Sequence, residues 1–223
     1  MVFDGMVTRA MTYELSHELE NGRVMKIYQP NETEILILMR HERNNKQLLL
    51  SSHPQYARVH ITKDKRENPA EPPVFCMILR KHLTGSFLTK IKQLENERII
   101  HFHFRTKNEI GDTSNKILIA EIMGKHSNLI LIDEETQTIL DSIKHISHSQ
   151  NRHRAIVPGA AYTSPPDQNK LNPFTLENDT FLKKIDFNSG NLEQQIVNNF
   201  MGISPLLAKE IVHRAQLGNR ESY

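Results

Sequence analysis

From residue 23 to residue 143 the chain is largely a succession of short apolar runs broken by polar turns, a pattern that restricts it to antiparallel sheet. The runs fall at 23–28, 33–39, 46–51, 98–104, 116–123, 128–132 and 136–143. The turn QPNE joins the first two, and a tip of Gly124, Lys125, His126, Ser127 and Asn128 joins KILIAEIM to NLILID. Helices are few. Val7, Met11, Leu15 and Leu19 recur every fourth residue, striping one face of a helix that Asn21-Gly22 stops. The charged, proline-bearing TKDKRENPAEPP reads as an exposed loop into a helix over VFCMILRKHL, with Pro72 and Pro73 at or near its first turn. A short helical stretch follows Gly85 and runs through Lys92.

Beyond residue 150 the composition shifts. IVPGAAYTSPPDQNKLNPF, with four prolines, reads as an extended connector and places a domain boundary, giving domains 1–171 and 172–223. Within the second, NNFMGISPLLAKEIVHRA has the spacing of helix, tight turn, helix. Two readings fit it. In a helix-hairpin-helix unit, Gly202, Ile203 and Ser204 and the following helix start aim backbone N–H groups at a phosphate. In an ordinary helical hairpin, Gly202 is a C-cap. With 223 residues, 38% of them apolar, the chain can bury a core unaided. The fold class expected is α+β: a mainly antiparallel sheet or sandwich with flanking helices, then a small helical domain.

Several chemistries are weakened by what the residues lack. Gly124-Lys125 followed by Ser127 faintly suggests a phosphate-binding loop, but Ile119 stands where that motif needs glycine and a strand follows in place of a helix. Twelve histidines include His101 and His103 on one face of a strand, yet without HExxH or CxxC spacing they read as solvated strand histidines. No metal or cofactor is expected. Cys76, alone and amid Phe75, Met77, Ile78 and Leu79, reads as a core thiol and fits a reducing compartment. With no secretory signal and no apolar run of about 18 residues, a soluble cytoplasmic protein without membrane partners is expected.

Net charge is only +2, from 28 Lys and Arg against 26 Asp and Glu, too little to name a polyanion as partner. Local charge says more. Between Arg80 and Lys107 seven basic residues face only Glu95 and Glu97, and His82, His101 and His103 add titratable charge. This stretch and the Lys-His-Ser-Asn tip are either a surface that tracks phosphates or a solvated face.

Five motifs in order carry a resemblance: FDGMVTRAMTYEL, PPVFCMILRKHL, QLENERIIHF, AEIMGKHSNLILID and VPGAAYTSPP. Together they resemble the N-terminal domain of the RqcH family, also called NFACT proteins, bacterial relatives of eukaryotic NEMF long labelled fibronectin-binding protein A. FMGISPLLAKEI falls where that family has its helix-hairpin-helix domain. The family continues into a coiled coil and a further RNA-binding domain, so an N-terminal fragment is expected here.

The resemblance implies a ribosome quality control factor that binds obstructed large ribosomal subunits carrying peptidyl-tRNA. It also implies recruitment of alanyl-tRNA for template-free alanine tailing, with peptide bonds made by the ribosome. The family's acidic-basic pair falls on Glu97 and Arg98, where many relatives have Asp-Arg; the longer Glu alters reach without changing charge. By the same comparison Asp4, Arg80, Lys125, His126 and Asn128 are implied tRNA contacts. Simpler roles stand beside these: Asp4 as a helix cap, Arg98 as half of a surface ion pair, Arg80 as a partner of its helix dipole.

Two other function classes remain. The layout resembles the formamidopyrimidine-DNA glycosylases, but Val2 and Phe3 replace their N-terminal proline and glutamate, and zinc-finger cysteines are absent. A surface adhesin that binds fibronectin is disfavoured by the lack of a visible signal peptide or anchor.

Overall fold

The computed structural model describes residues 3–188 and 190–215. Helix α1 (Gly5–Leu19) starts on the side chain of Asp4, which accepts from Val7 N–H, and ends ahead of Asn21 at φ 69°. Three antiparallel strands follow, β1 (Arg23–Asn31), β2 (Glu34–His41) and β3 (Asn44–Ser51), then β4 (Arg58–Thr62). Helix α2 (Val74–Leu83) leads to β5 (Phe87–Gln93), β6 (Ile99–Lys107), β7 (Thr113–Glu121), β8 (Asn128–Asp133) and β9 (Ile139–Ser142). The short helices α3 (Asn178–Lys184), α4 (Leu192–Asn199) and α5 (Pro205–Arg214) close the chain.

All nine strands form one open antiparallel sheet in the order β4-β3-β2-β1-β5-β6-β7-β8-β9. Its two halves meet at a short seam where Arg23 pairs with Phe87. Leu15 and Leu19 of α1 and Phe75, Cys76, Leu79 and Leu83 of α2 share one core with residues from both halves. The Cys76 thiol is fully buried there, and burial raises its pKa.

The unbroken apolar runs of β7 and β8 have a direct cause: both faces of these strands are covered. Leu118, Ala120, Leu129 and Leu131 enter the core with α1 and α2. Ile117, Ile119, Ile130 and Ile132 point the other way, beneath Ile146 and beneath Ile156, Ala160 and Tyr162 of the connector. A third core, around Ile196, Phe200, Ala208 and Val212, holds the helical unit together.

Two expectations change, and one strand comes unannounced. The helical stretch expected through Lys92 is strand β5, and a register shift between Leu88 and Lys90 explains the misreading. That bulge places buried Leu88 and Ile91 three residues apart, which mimics a helical spacing. Strand β4, polar at Arg58 and His60, has no apolar run to announce it. His101 and His103 are half-buried rather than solvated: their Nε2 atoms are buried with no hydrogen-bond partner among the described residues, and burial holds the His101 imidazole down at about 4.

Candidate nucleic-acid interface

Arg98 stands immediately before β6, and its position is set by a junction of three backbones. In the loop before it, Glu95 has φ 52° and Asn96 is fully buried, donating from Nδ2 to the Met201 carbonyl at 2.8 Å. Gly5 and Gly202 allow this approach. A Cβ on Gly5 would lie 2.0 Å from Asn96 O and 2.4 Å from Gly202 Cα, and one on Gly202 would lie 2.1 Å from Asn96 O. Gln93 Nε2 closes the junction by donating to the carbonyls of Gly5 (2.9 Å) and Glu97 (2.8 Å).

Both oxygens of Asp4, which is 8% exposed, are engaged: Val7 N–H donates to Oδ1 at 2.9 Å and Ser204 N–H to Oδ2 at 3.4 Å. A carboxylate of the chain therefore sits at the first turn of α5, where an anion would be favoured. Burial pushes the Glu97 carboxyl above the usual carboxylate range, and neighbouring Arg98 opposes the shift. The Arg98 guanidinium has no hydrogen-bond or ion-pair partner among the described residues, so the surface-bridge role is not taken up.

Arg98 lines a cleft of about 670 Å³ together with Phe3, Tyr56, Arg58, Ile122 and Gly124. Gly124 opens the 3-10 turn Gly124–His126 at φ 56°, and Ser127 Oγ fixes the turn by accepting from Met123 N–H at 2.8 Å. Lys125 and His126 are exposed on this tip. Asn128 is 1% exposed and acts as a latch: Nδ2 donates to Lys144 O at 3.0 Å, while Oδ1 accepts from Lys144 N at 3.1 Å and Leu129 N at 2.9 Å. Behind the tip, Glu121 is fully buried and accepts from both Arg154 and Tyr162.

Arg80 is elsewhere. Its Nε donates to Ile27 O at 2.7 Å, its guanidinium lies 5.5 Å from the Tyr28 ring centroid, and it lines a separate cleft of about 290 Å³ with Lys26 and Thr84. The histidines add less charge than their number suggests. Burial lowers the pKa of His82, His101 and His103, with Glu134 partly opposing the shift at His103. No group of three His, Cys, Asp or Glu among the described residues is placed to hold a metal ion. Val2, which bears on the glycosylase comparison, lies outside the described residues, as do residues 216–223 of the second expected domain.

Sequence reasoning missed Phe3, Tyr56 and Arg58. The available signal was an aromatic beside a basic residue in QYARVH.

The fold and cleft define a class: an α+β domain of one open antiparallel sheet, with a docked helical hairpin and a cleft walled by arginine and aromatic side chains. The chain belongs to the NFACT family, since the model described as NFACT N-terminal and middle domains matches residues 4–223. It is 48% identical over 220 residues to the Rqc2 homolog RqcH of Bacillus subtilis, covering 99% of this chain and 39% of that protein. It is 41% identical over 226 residues to the Rqc2 homolog RqcH of Streptococcus suis, covering 100% of this chain and 40% of that protein. The chain thus spans about two fifths of the length of these curated relatives. Among solved structures, the N-terminal domain of the fibronectin-binding protein PavA from Streptococcus pneumoniae superposes with a TM-score of 0.91 at 40% identity, covering 99% of this chain and 82% of that one. No described helix is long and apolar enough to cross a membrane.

Proposed function

We propose that this chain is the tRNA-binding and ribosome-binding part of a cytoplasmic ribosome quality control factor. In this reading it recruits alanyl-tRNA to large subunits obstructed by peptidyl-tRNA, for alanine tailing carried out by the ribosome. It is a binding module with no catalytic step of its own. The observation that carries the reading is the unpartnered Arg98 guanidinium, held at a cleft beside the Lys125-His126 tip in a chain 48% identical to an Rqc2 homolog.

Arg98, Lys125 and His126 make the direct RNA contacts, and Glu97 tunes the Arg98 fork. Asp4 and Asn128 serve through position, by fixing α5 and the tip. Arg80 marks a second, outlying contact. Gly202, Ile203 and Ser204 form the turn of a helix-hairpin-helix domain over 172–223, following an NFACT-N domain over 1–171. A phosphate reaching Ser204 N–H competes with Asp4 for it.

The test is a fluorescence titration with alanine tRNA, a second tRNA and duplex DNA at two salt concentrations. tRNA preference that weakens with salt is expected, and Arg98→Ala should lower affinity about tenfold at unchanged Tm. Equal affinity for the two proteins removes Arg98 from the site. The name of PavA supports fibronectin binding as the alternative, and fibronectin in the same titration separates the two.

A further inference from the structure

Away from the Arg98 cleft, the outer face of the sheet carries a basic line built by strand register. Arg40 stands opposite Arg23, Arg23 opposite Phe87, Phe87 opposite Arg105 and Arg105 opposite Asn115, so β2, β1, β5, β6 and β7 contribute one residue each. Their chain neighbours Met39, Val24, Leu88 and Phe104 enter the core, so the line lies on the opposite face, and every member of it is exposed. Arginines directly opposite each other repel and cost stability. No Asp or Glu stands in the line to relieve them. Arg40 Nη1 donates to Asn45 Oδ1 at 2.9 Å and Arg23 Nε to Gly85 O at 3.4 Å, both neutral acceptors, and Arg105 has no hydrogen-bond or ion-pair partner among the described residues.

Apolar surface interrupts the charge. Phe87 is 49% exposed and Met25 46%. Met25 also lines the cleft of about 290 Å³ with Lys26, Tyr28, Arg80 and Thr84, and Thr84 adjoins Gly85, which accepts from Arg23. Arg80 is fixed at that cleft by its bond to Ile27 O. Again no carboxylate is present among the lining residues. Arg105 lies seven residues along the chain from Arg98, roughly 20 Å at the rise of a strand, so this surface is separate from the site described above.

We propose that this face docks an extended acidic protein segment with one apolar anchor. From Arg40 to Arg105 are three inter-strand steps, about 14 Å, which an extended chain crosses in about four residues. Alternate side chains of such a chain share one side, so the matching pattern is acid, any residue, apolar, any residue, acid. The first carboxylate sits between Arg40 and Arg23, the apolar side chain rests on Phe87 and Met25, and the second carboxylate meets Arg105. Met25 and Phe87 favour a polypeptide over RNA: a thioether chain offers no stacking plane to a base, whereas Arg, Met, Tyr and Phe are the residues that protein interfaces enrich.

Fluorescence anisotropy of the whole chain with a labelled peptide of core Glu-Ser-Leu-Ser-Glu, and with its Gln-Ser-Leu-Ser-Gln and Glu-Ser-Ser-Ser-Glu counterparts, tests the docking face. The first peptide should bind about tenfold more tightly than either counterpart, and less tightly as salt rises. Arg105→Glu should lower its affinity about tenfold at unchanged Tm and unchanged tRNA affinity, and Phe87→Ser should lower it to the level of the Glu-Ser-Ser-Ser-Glu peptide. Equal binding of the three peptides, or parental affinity in Arg105→Glu, overturns the proposal. A loss of tRNA affinity in Arg105→Glu as large as that in Arg98→Ala also overturns it and assigns the line to RNA. Failure of tRNA to bind the parent chain leaves the peptide comparison intact, so the two readings fail separately. Where a melting curve shows Arg105→Glu unfolded, Phe87→Ser decides, and undiminished affinity in that variant overturns the proposal.

Discussion

Gly202→Ala is the sharpest probe of how Arg98 is held. Gly202 has φ 76°, a left-handed conformation that costs an alanine about 1–2 kcal/mol. The added Cβ would also fall 2.1 Å from Asn96 O and 2.5 Å from Asn96 Nδ2. The first of these is backbone and cannot swing aside, so the junction must open, at the roughly 1–3 kcal/mol typical of overpacking. The total is about 2–5 kcal/mol, or a fall in Tm of about 4–20 °C for a chain of this size. Gly159→Ala supplies the control, because Gly159 has φ 87° and a Cβ there meets nothing within 4 Å. It should lose only the conformational share, about 2–8 °C. Thermal unfolding of both variants isolates the contact, and tRNA titration of Gly202→Ala should show a loss through the displaced Arg98 loop. Equal melting losses in the two variants would refute the tight junction. Full tRNA affinity in Gly202→Ala would refute its role in placing Arg98.

Three further perturbations have definite outcomes. Glu121→Gln leaves the Arg154 guanidinium buried without its carboxylate and should cost about 3–5 kcal/mol in urea unfolding, so a loss below about 1 kcal/mol counts against the network. The folded His101 imidazole titrates at about 4 against 6.5 when unfolded, so the unfolded chain binds more protons between those values. Stability should therefore fall by up to about 3 kcal/mol as pH drops through that window, and His101→Phe should flatten the profile; an unchanged profile removes His101 as its source. Asn128→Ala should lower Tm by releasing Lys144 and the tip, whereas Lys125→Ala should leave Tm alone and reduce the salt slope of tRNA binding by about one. Identical behaviour of those two variants would erase the distinction between latch and contact.

Legibility followed how locally each feature is encoded. The stripe Val7, Met11, Leu15, Leu19 became α1, and the apolar runs ILIA and LILI became strands covered on both faces. Strand β5 was hidden because its bulge is a property of pairing with β6, which the single strand does not display. The histidines were misjudged for a similar reason: the alternation HFHF gives their face, but only the packing above that face decides whether water reaches it. At the site, Arg98 and the 124–128 tip stood out through local charge and resemblance. Glu34, Tyr56 and Arg58 did not, because they approach Arg98 from remote segments and each looks like an ordinary surface residue in its own stretch.

The hydrogen bond from Ser204 to Asp4 joins residues 200 positions apart. A closure of that span costs about 5 kcal/mol of chain entropy, and contacts so distant are slow to form during folding. On a ribosome, the first strands and α1 emerge and pair long before the turn at Gly202 exists. The loop carrying Arg98 is therefore clamped only when synthesis has passed Ser204, so the strands on either side of this grip are made well before the grip itself can close.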